Sequence, residues 1–301
     1  MPLRQVLMTW LAGSLIAGLL AGCTPATITA DAEYEGFIHA MREVRVRELQ
    51  RPDGLLSNAA SGRLEAGRHS LGSRRGNRIL LPQGDAHAGW IEVDGSVAHF
   101  IDMAQHRHPL TIGAPGGADP TRVPIGGGSF FLISNGGNLG WRYRDPAAVE
   151  RHAFRGFDYF PIQSGWRVQA RWIDYGELRP RLVMTSNGGV LEMETPGEAR
   201  FEIEGRSFRL QPVLSLPGDP RLMFLFSDLT SGRESFEGGR FLFADRPAGG
   251  MLVLDFNLSE NPACALTPHV VCPVPPADTR LDLSIRAGER LWHRDSGQLT
   301  G

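Results

Sequence analysis

Two strongly apolar runs in this chain end in carboxylates. Phe224-Leu225-Phe226 leads to Asp228, and Met251-Leu252-Val253-Leu254 runs directly into Asp255. Runs this apolar read as buried strands, and an ionisable group at the rim of a buried sheet requires a partner. Arg240, placed after Gly238-Gly239, can supply one, because its planar guanidinium engages a carboxylate with two parallel hydrogen bonds. Asn257 and Asn261 add amide donors and acceptors close by. Two arrangements satisfy these groups. One is an internal ion-pair network that fastens the segment from Asn261 to Pro276 to the sheet. The other is a pocket in which Asp228, Arg240, Asp255, Asn257 and Asn261 hold a small hydroxylated or anionic ligand. An enzymatic version of the pocket would use Asp228 or Asp255 as the acid or base of a hydrolysis, with Arg240 stabilising negative charge.

A second constellation gathers Arg144, Asp145, Asp158, Tyr159 and Arg167 among Trp141, Tyr143, Phe154, Phe157, Phe160 and Trp166. Aromatics this dense form either a stacking wall for a ring-bearing ligand or ordinary core between two lobes. His106 and His108 would share one side of a strand, but no third ligand stands near them, so no metal site is expected. Every basic residue is arginine. That excludes a Schiff-base lysine, a Walker-type phosphate loop and a serine–lysine dyad. There is no Gly-x-Ser-x-Gly elbow, no His-Glu-x-x-His and no dinucleotide fingerprint, and no cofactor is implied. A formal net charge of −2 offers no positive field for nucleic acid.

The chain opens with Arg4, an apolar run from Val6 to Leu20, and Leu20-Ala21-Gly22-Cys23. This is the layout of a secretory signal, and its end resembles the lipobox of bacterial lipoproteins. The resemblance implies removal of residues 1–22, acylation of Cys23 and attachment to the cell-envelope membrane through the lipid, on the periplasmic face. Thr24 in place of aspartate favours the outer membrane by the same resemblance. Residues 23–31 then read as a lipidated tether. No later apolar run is long enough to span a bilayer. In an oxidising compartment Cys264 and Cys272 are expected to form a disulfide. The alternative is a metal clip with His269, which lacks a plain fourth ligand.

These residues need elements to position them. Glu33 to Gln50 reads as a helix, with Phe37, Met41, Val44 and Leu49 as its apolar positions, stopped by Arg51-Pro52-Asp53-Gly54. Beyond it lie short strands separated by Gly, Asn, Asp and Pro turns. Trp90–Val93 and Val97–Ile101 form a hairpin around Asp94-Gly95. Val190–Glu194, Phe201–Glu204 and Leu281–Ile285 alternate as half-buried strands. Ile112 to Gly128 is a loop or inter-lobe connection, and Pro146 to His152 a short helix capped by Asp145. The expected architecture is all-β, a mainly antiparallel sandwich or partly open barrel with one N-terminal helix. It forms a single domain over residues 32–301, with β lobes at about 55–175 and 176–301.

Three groups of segments carry a further resemblance. The first runs from Arg144-Asp145-Pro146 through Phe154-Arg155-Gly156-Phe157-Asp158-Tyr159-Phe160-Pro161 to Trp166-Arg167-Val168. The second is Asp228-Leu229-Thr230-Ser231-Gly232 with Gly238-Gly239-Arg240-Phe241-Leu242. The third is Asp255-Phe256-Asn257, Asn261-Pro262-Ala263-Cys264-Ala265, Cys272-Pro273-Val274-Pro275-Pro276 and Ile285-Arg286-Ala287-Gly288-Glu289. In that order they resemble the bacterial and archaeal domain of unknown function 1684, from the first helix to Glu289. The resemblance implies an architecture more than a role, since the family's activity is not established. This chain departs from the family pattern at Phe236, Ser259-Glu260, Leu266, His269 and Asp278-Thr279, where the family more often has tyrosine, alanine–tyrosine, an aromatic, tyrosine and glutamate–asparagine. The resulting expectation is a lipid-anchored envelope protein that acts as a small-molecule binding or accessory module. The alternatives are the hydrolase and a structural partner of other envelope proteins.

Overall fold

The β period sorts the side chains of the first lobe onto two faces. In the strands Gly128–Asn135 and Asn138–Arg144, Phe130, Leu132, Trp141 and Tyr143 point into a core, while Phe131, Arg142 and Arg144 point away from it. The computed structural model describes residues 30–114, 117–135, 137–215 and 219–292. The leader 1–22, Cys23 and the tether up to residue 29 lie outside the described residues. Among the described residues strands take up 44% and helices 16%, so the fold is mainly β.

The first lobe is a sandwich of two sheets. One has the spatial order Asn58–Arg63, Asn138–Arg144, Gly128–Asn135, Val123–Ile125, antiparallel throughout. The other has the order Ile79–Leu80, Gly67–Gly72, Gly89–Asp94, Val97–Ile101, Arg107–Leu110. Leu71, Ile79, Leu81, Ile91, Val93 and Ala98 close the core against Phe130, Leu132, Trp141 and Tyr143. The expected hairpin is present with Asp94 opposite Val97, and Gly95 takes the left-handed conformation (φ +57) that this tight turn requires. The Ile112 to Gly128 segment, read as a loop, contributes the edge strand Val123–Ile125.

The second lobe is a four-stranded antiparallel sheet in the order Arg206–Leu210, Val190–Ile203, Arg167–Met184, Met251–Asp255, with a separate hairpin of Arg221–Phe226 and Arg240–Asp245. Its core joins Val168, Ala170, Phe201, Leu222, Phe224, Phe226, Leu254 and Phe256. The strand Arg167–Met184 runs straight through the lobe boundary read at about 175. Val168, Ala170 and Trp172 all pack in the second core, so the lobes divide before Arg167.

Two strand expectations change. Val190–Glu194 and Phe201–Ile203 are parts of one strand, Val190–Ile203, because the partner strand bulges between Asp174 and Arg179 opposite Pro196, and pairing resumes at Gly197 with Asp174. Leu281–Ile285 alternates in burial as expected, with Leu281, Leu283 and Ile285 buried, but it is not a ladder strand. Its backbone is bound partly by side chains: Ile285 N–H donates to Asp228 and the Ile285 carbonyl accepts from Arg240.

The N-terminal helix spans Ala30–Leu49, three residues earlier than expected at its start. Its docked face also differs. Tyr34, Ile38, Arg42, Arg45 and Leu49 turn toward the body, a helical spacing that mixes two apolar residues with three polar ones. Phe37, Met41 and Val44, three of the apolar positions read from the sequence, are 51%, 38% and 41% exposed. The short helix is Val149–Ala153, preceded by Asp145, whose carboxylate accepts from Ala147 N–H at 2.7 Å. No described helix is long and apolar enough to cross a membrane.

Candidate functional site

The helix Ala30–Leu49 roofs a cleft of about 840 Å³ on the second lobe. Its floor begins where the strand Met251–Asp255 ends. The chain turns there into a short 3-10 segment, Phe256–Leu258, with the Asp255 carboxylate accepting from Asn257 N–H at 3.1 Å. That turn presents Asp255, Asn257 and Glu260 to the helix.

At one end, Tyr34 Oη lies 2.9 Å from both oxygens of Asp255 and accepts from Asn257 Nδ2 at 2.9 Å. Asn257 Nδ2 also donates to the Gln163 carbonyl at 2.8 Å, and its Oδ1 accepts from Gln163 N–H at 3.2 Å. Arg167 Nε stands 3.8 Å from Asp255. Burial pushes the Asp255 carboxyl upward against the lowering effect of these donors, and it pushes the Tyr34 hydroxyl upward too, reinforced by the neighbouring carboxylate.

At the other end, Arg45 joins two glutamates: its Nε is 2.7 Å from Glu289 and 2.9 Å from Glu260, and its Nη2 donates to the Asn261 carbonyl at 2.8 Å. Glu289 is fully buried and accepts Asn261 N–H at 2.6 Å. Burial pushes Glu260 up to about 7, with Arg45 opposing and Glu289 adding to the rise. Between the two ends, Arg42 lies over the Tyr159 ring at 4.1 Å. The Tyr159 hydroxyl and Arg42 Nε are buried without a hydrogen-bond partner among the described residues. Phe37, Met41, Val44 and Phe243 give the cleft an apolar rim.

The expected site residues therefore separate into three places. Asp255, Asn257, Tyr159 and Arg167 line the cleft. Asp228, Arg240 and Asn261 lie behind it. Arg240 and Asp228 are 0% exposed at their side chains and pair at 3.3 Å. Arg240 also donates to the carbonyls of Ile285 and Ala287 and to Ser259, while Asp228 accepts from Thr230, Ser231 and Ile285 N–H. Arg144 lines a different pocket, between the lobes. His106 and His108 both approach Asp102, at 3.3 and 3.0 Å, on the exposed far side of the first lobe. No group of three His, Cys, Asp or Glu suited to a metal ion occurs among the described residues.

The expected cystine is not formed in this structure. Cys264 and Cys272 are free thiols in hydrogen-bond contact, with Cys264 N–H donating to Cys272 Sγ at 3.0 Å. His269 sits 3.3 Å from Ser61 through its Nδ1.

Residues 152–290 match the model of a family described as a protein of unknown function, DUF1684. The matched segment carries the cleft floor, the Arg240–Asp228 pair and both cysteines, whereas the helix roof lies outside it. A solution NMR structure of an uncharacterized protein from Haloarcula marismortui is 27% identical over 46% of this chain and 78% of that one, with a TM-score of 0.40. No curated protein matches. Tyr34, Arg42 and Arg45 escaped the sequence reading because they belong to a helix judged by its apolar positions. Glu260 was visible only as a departure from the family pattern.

Proposed function

We propose that this chain is a binding module that holds a small hydroxylated molecule in the cleft under the N-terminal helix. The observation that carries the reading is the unpartnered pair at the cleft wall, the Tyr159 hydroxyl and Arg42 Nε. Buried polar groups are nearly always hydrogen-bonded, so groups left open beside a cavity are those a ligand completes. Glu260 stands at the same wall and can accept from, or at lower pH donate to, a ligand hydroxyl. The apolar rim of Phe37, Met41 and Phe243 suits the carbon face of such a ligand. A cleft of about 840 Å³ is in the range of ordinary small-molecule sites.

The same reading makes the chain an exported lipoprotein, supported by the leader and by Cys23 in the sequence. Seven residues from Cys23 to Ala30 reach at most about 25 Å, so lipid at Cys23 would keep the cleft near the bilayer surface. Intact mass of the membrane fraction tests this: the expected product lacks residues 1–22 and carries lipid, and a Cys23→Ala variant stays unlipidated.

A thermal-shift and calorimetric screen of the full chain in detergent, against mono- and disaccharides and glycerol phosphodiesters, tests the site. The expected result is a ligand whose binding weakens about tenfold in Tyr159→Phe, the worth of one hydrogen bond to a buried group. A panel that leaves the melting curve unmoved, or binding indifferent to Tyr159→Phe, overturns the reading. One observation favours hydrolysis as a second reading: Glu260 titrates near neutrality, where a carboxyl can move a proton in either direction. That reading predicts turnover of chromogenic glycosides or esters that Glu260→Gln abolishes.

A further inference from the structure

The outward face of the first lobe's sheet is not an ordinary solvated face. Register places Phe131 opposite Arg142 and Ser129 opposite Arg144, with Ser61 opposite Arg142 on the other side. Because Arg142 and Arg144 are two residues apart on one strand, both guanidiniums rise on the side away from the core. The turn Thr185–Gly189 and Val271 of the second lobe face them and close a pocket of about 590 Å³ between the lobes. Four arginines, Arg63, Arg122, Arg142 and Arg144, line it against a single carboxylate, Asp119. Among the described residues none of the four lies within 4.0 Å of a carboxylate, although the chain as a whole is net negative. The guanidiniums of Arg122 and Arg144 sit 4.7 and 5.4 Å from the centre of the Phe131 ring.

An arginine on a folded surface usually finds a carboxylate or open water. Here burial lowers the proton affinity of Arg142 and Arg144, and repulsion from Arg122 and Arg142 lowers that of Arg144 further. The charges are thus held together in a partly desolvated place, where among the described residues Asn58 Oδ1 accepts from Arg144 at 3.4 Å. An oxyanion would relieve the repulsion and accept the guanidinium donors in pairs.

We propose that the pocket between the lobes binds a small organic oxyanion, a phosphate or carboxylate on a flat or apolar body. Arg142 and Arg144 take the charged group, held in place over the buried ring of Phe131, and the exposed side chains of Val190 and Val271 on the facing wall pack against the body. The site is separate from the cleft under the helix and does not depend on the reading of that cleft.

Isothermal titration of the full chain with phenyl phosphate, benzoate, inorganic phosphate and phenol tests it. Phenyl phosphate or benzoate is expected to bind, phenol is expected not to bind up to about 10 mM, and inorganic phosphate to bind more weakly than phenyl phosphate. The ratio of phenyl phosphate to benzoate affinity separates the two oxyanions. Arg142→Ala and Arg144→Ala should each weaken binding about tenfold or more, as loss of a charge-assisted contact does, with far-UV circular dichroism confirming the fold. If either variant fails to fold, Arg142→Lys, which keeps charge but not the fork, should fold and still bind more weakly. Glu260 lines the other cleft and not this pocket, so in Glu260→Gln only the anion affinity here is expected to match the parent, which keeps failure here distinct from failure at the cleft. The proposal falls if neither organic anion binds better than phenol, if inorganic phosphate binds as tightly as phenyl phosphate, or if the folded arginine variants bind like the parent.

Discussion

The hydroxyl of Tyr34 lies 2.9 Å from each carboxylate oxygen of Asp255, across a sequence separation of 221 residues. Its single proton serves both oxygens, and Asn257 Nδ2 donates back to the same hydroxyl. This contact ties the first turns of the helix to the end of Met251–Asp255, the outer strand of the second lobe's sheet. Arg45 with Glu289 ties its later turns to the segment that follows Ala287, and Leu49 seats its end in a small core with Leu56, Phe154 and Leu266. A helix with so polar a docked face is held by these latches more than by burial of apolar area.

Tyr34→Phe tests the first latch. The ring stays and only the donor is lost, so Asp255 remains buried with one donor fewer. The expected cost is about 1–3 kcal/mol, read as a shift in the urea midpoint at unchanged slope. Amide exchange should rise in the first half of Ala30–Leu49 and stay unchanged in the first lobe. A variant as stable as the parent, with unchanged exchange, would show that the helix is held from its other end alone.

Glu260 makes stability depend on pH with a definite sign. Its folded value of about 7 lies above its ordinary value of 4.5, through burial first and then the nearby Glu289. Between those values the folded state binds more protons than the unfolded state, so stability falls as pH rises through this window. The contribution is fully present below about pH 4.5 and lost above about pH 7. The upward shifts of Asp255 and Glu289, both led by burial, act in the same direction. A loss of about 2–3 kcal/mol between pH 5 and pH 8 is expected. In Glu260→Gln the slope should flatten. Urea titrations across this range check both, and a parent whose stability rises over the interval contradicts the assignment.

The architecture was legible in the sequence for physical reasons, and so were its failures. Alternation in Trp90–Val93 and Val97–Ile101 can be satisfied only by a half-buried hairpin, and the fold has it. Apolar runs at Phe224 and Met251 marked strands whose ends carry charged residues, and Asp228 and Asp255 stand there. What the pattern could not disclose is which carboxylate faces a cavity. Asp228 and Asp255 have the same local setting, yet Arg240 seals the first while Tyr34, far away in sequence, roofs the second. The helix shows the complementary error. Phe37, Met41 and Val44 are its apolar positions, but the body offers Asp255, Glu260 and Glu289 to pair with Tyr34 and Arg45, so tertiary electrostatics turned the polar side inward.

The cysteines can be read by alkylation. Cys272 is buried, and its thiol is pushed up by the hydrogen bond with Cys264 and by burial, whereas the Cys264 thiol is lowered by the same hydrogen bond and is partly exposed. The thiolate is the nucleophile, so in reduced native protein iodoacetamide should modify Cys264 first and leave Cys272 until denaturation. Mild oxidation should protect both, and closing so short a loop should then add about 2.5 kcal/mol on the chain-entropy account. Peptide mass spectrometry and urea unfolding with and without reductant check the two parts. Equal native labelling of both thiols, or no gain in stability on oxidation, counts against the assignment.

Arg240 is the side chain on which the second lobe should depend most. It is fully buried, flanked by the rings of Phe226 and Phe160 at 5.2 and 5.9 Å, and it gathers Asp228, Ser259 and the carbonyls of Ile285 and Ala287 around one cation. Burial lowers its proton affinity and Asp228 restores part of it. Removing the cation leaves a buried carboxylate and two carbonyls without their donor. Arg240→Ala should therefore cost about 3–5 kcal/mol, and Asp228→Asn somewhat less, because an amide oxygen in the Oδ2 place still accepts Ile285 N–H while the hydroxyls of Thr230 and Ser231 can turn to accept from the amide nitrogen. Since most of each loss comes from stranding the other partner, Arg240→Met with Asp228→Asn should lose clearly less than the two single changes added together. Urea unfolding of the four proteins supplies this cycle. Amide exchange at Ile285–Glu289 should accelerate in Arg240→Met, because that segment lacks a strand ladder and leans on the guanidinium. Strict additivity, with exchange unchanged there, would mean that the pair is packed together without being coupled.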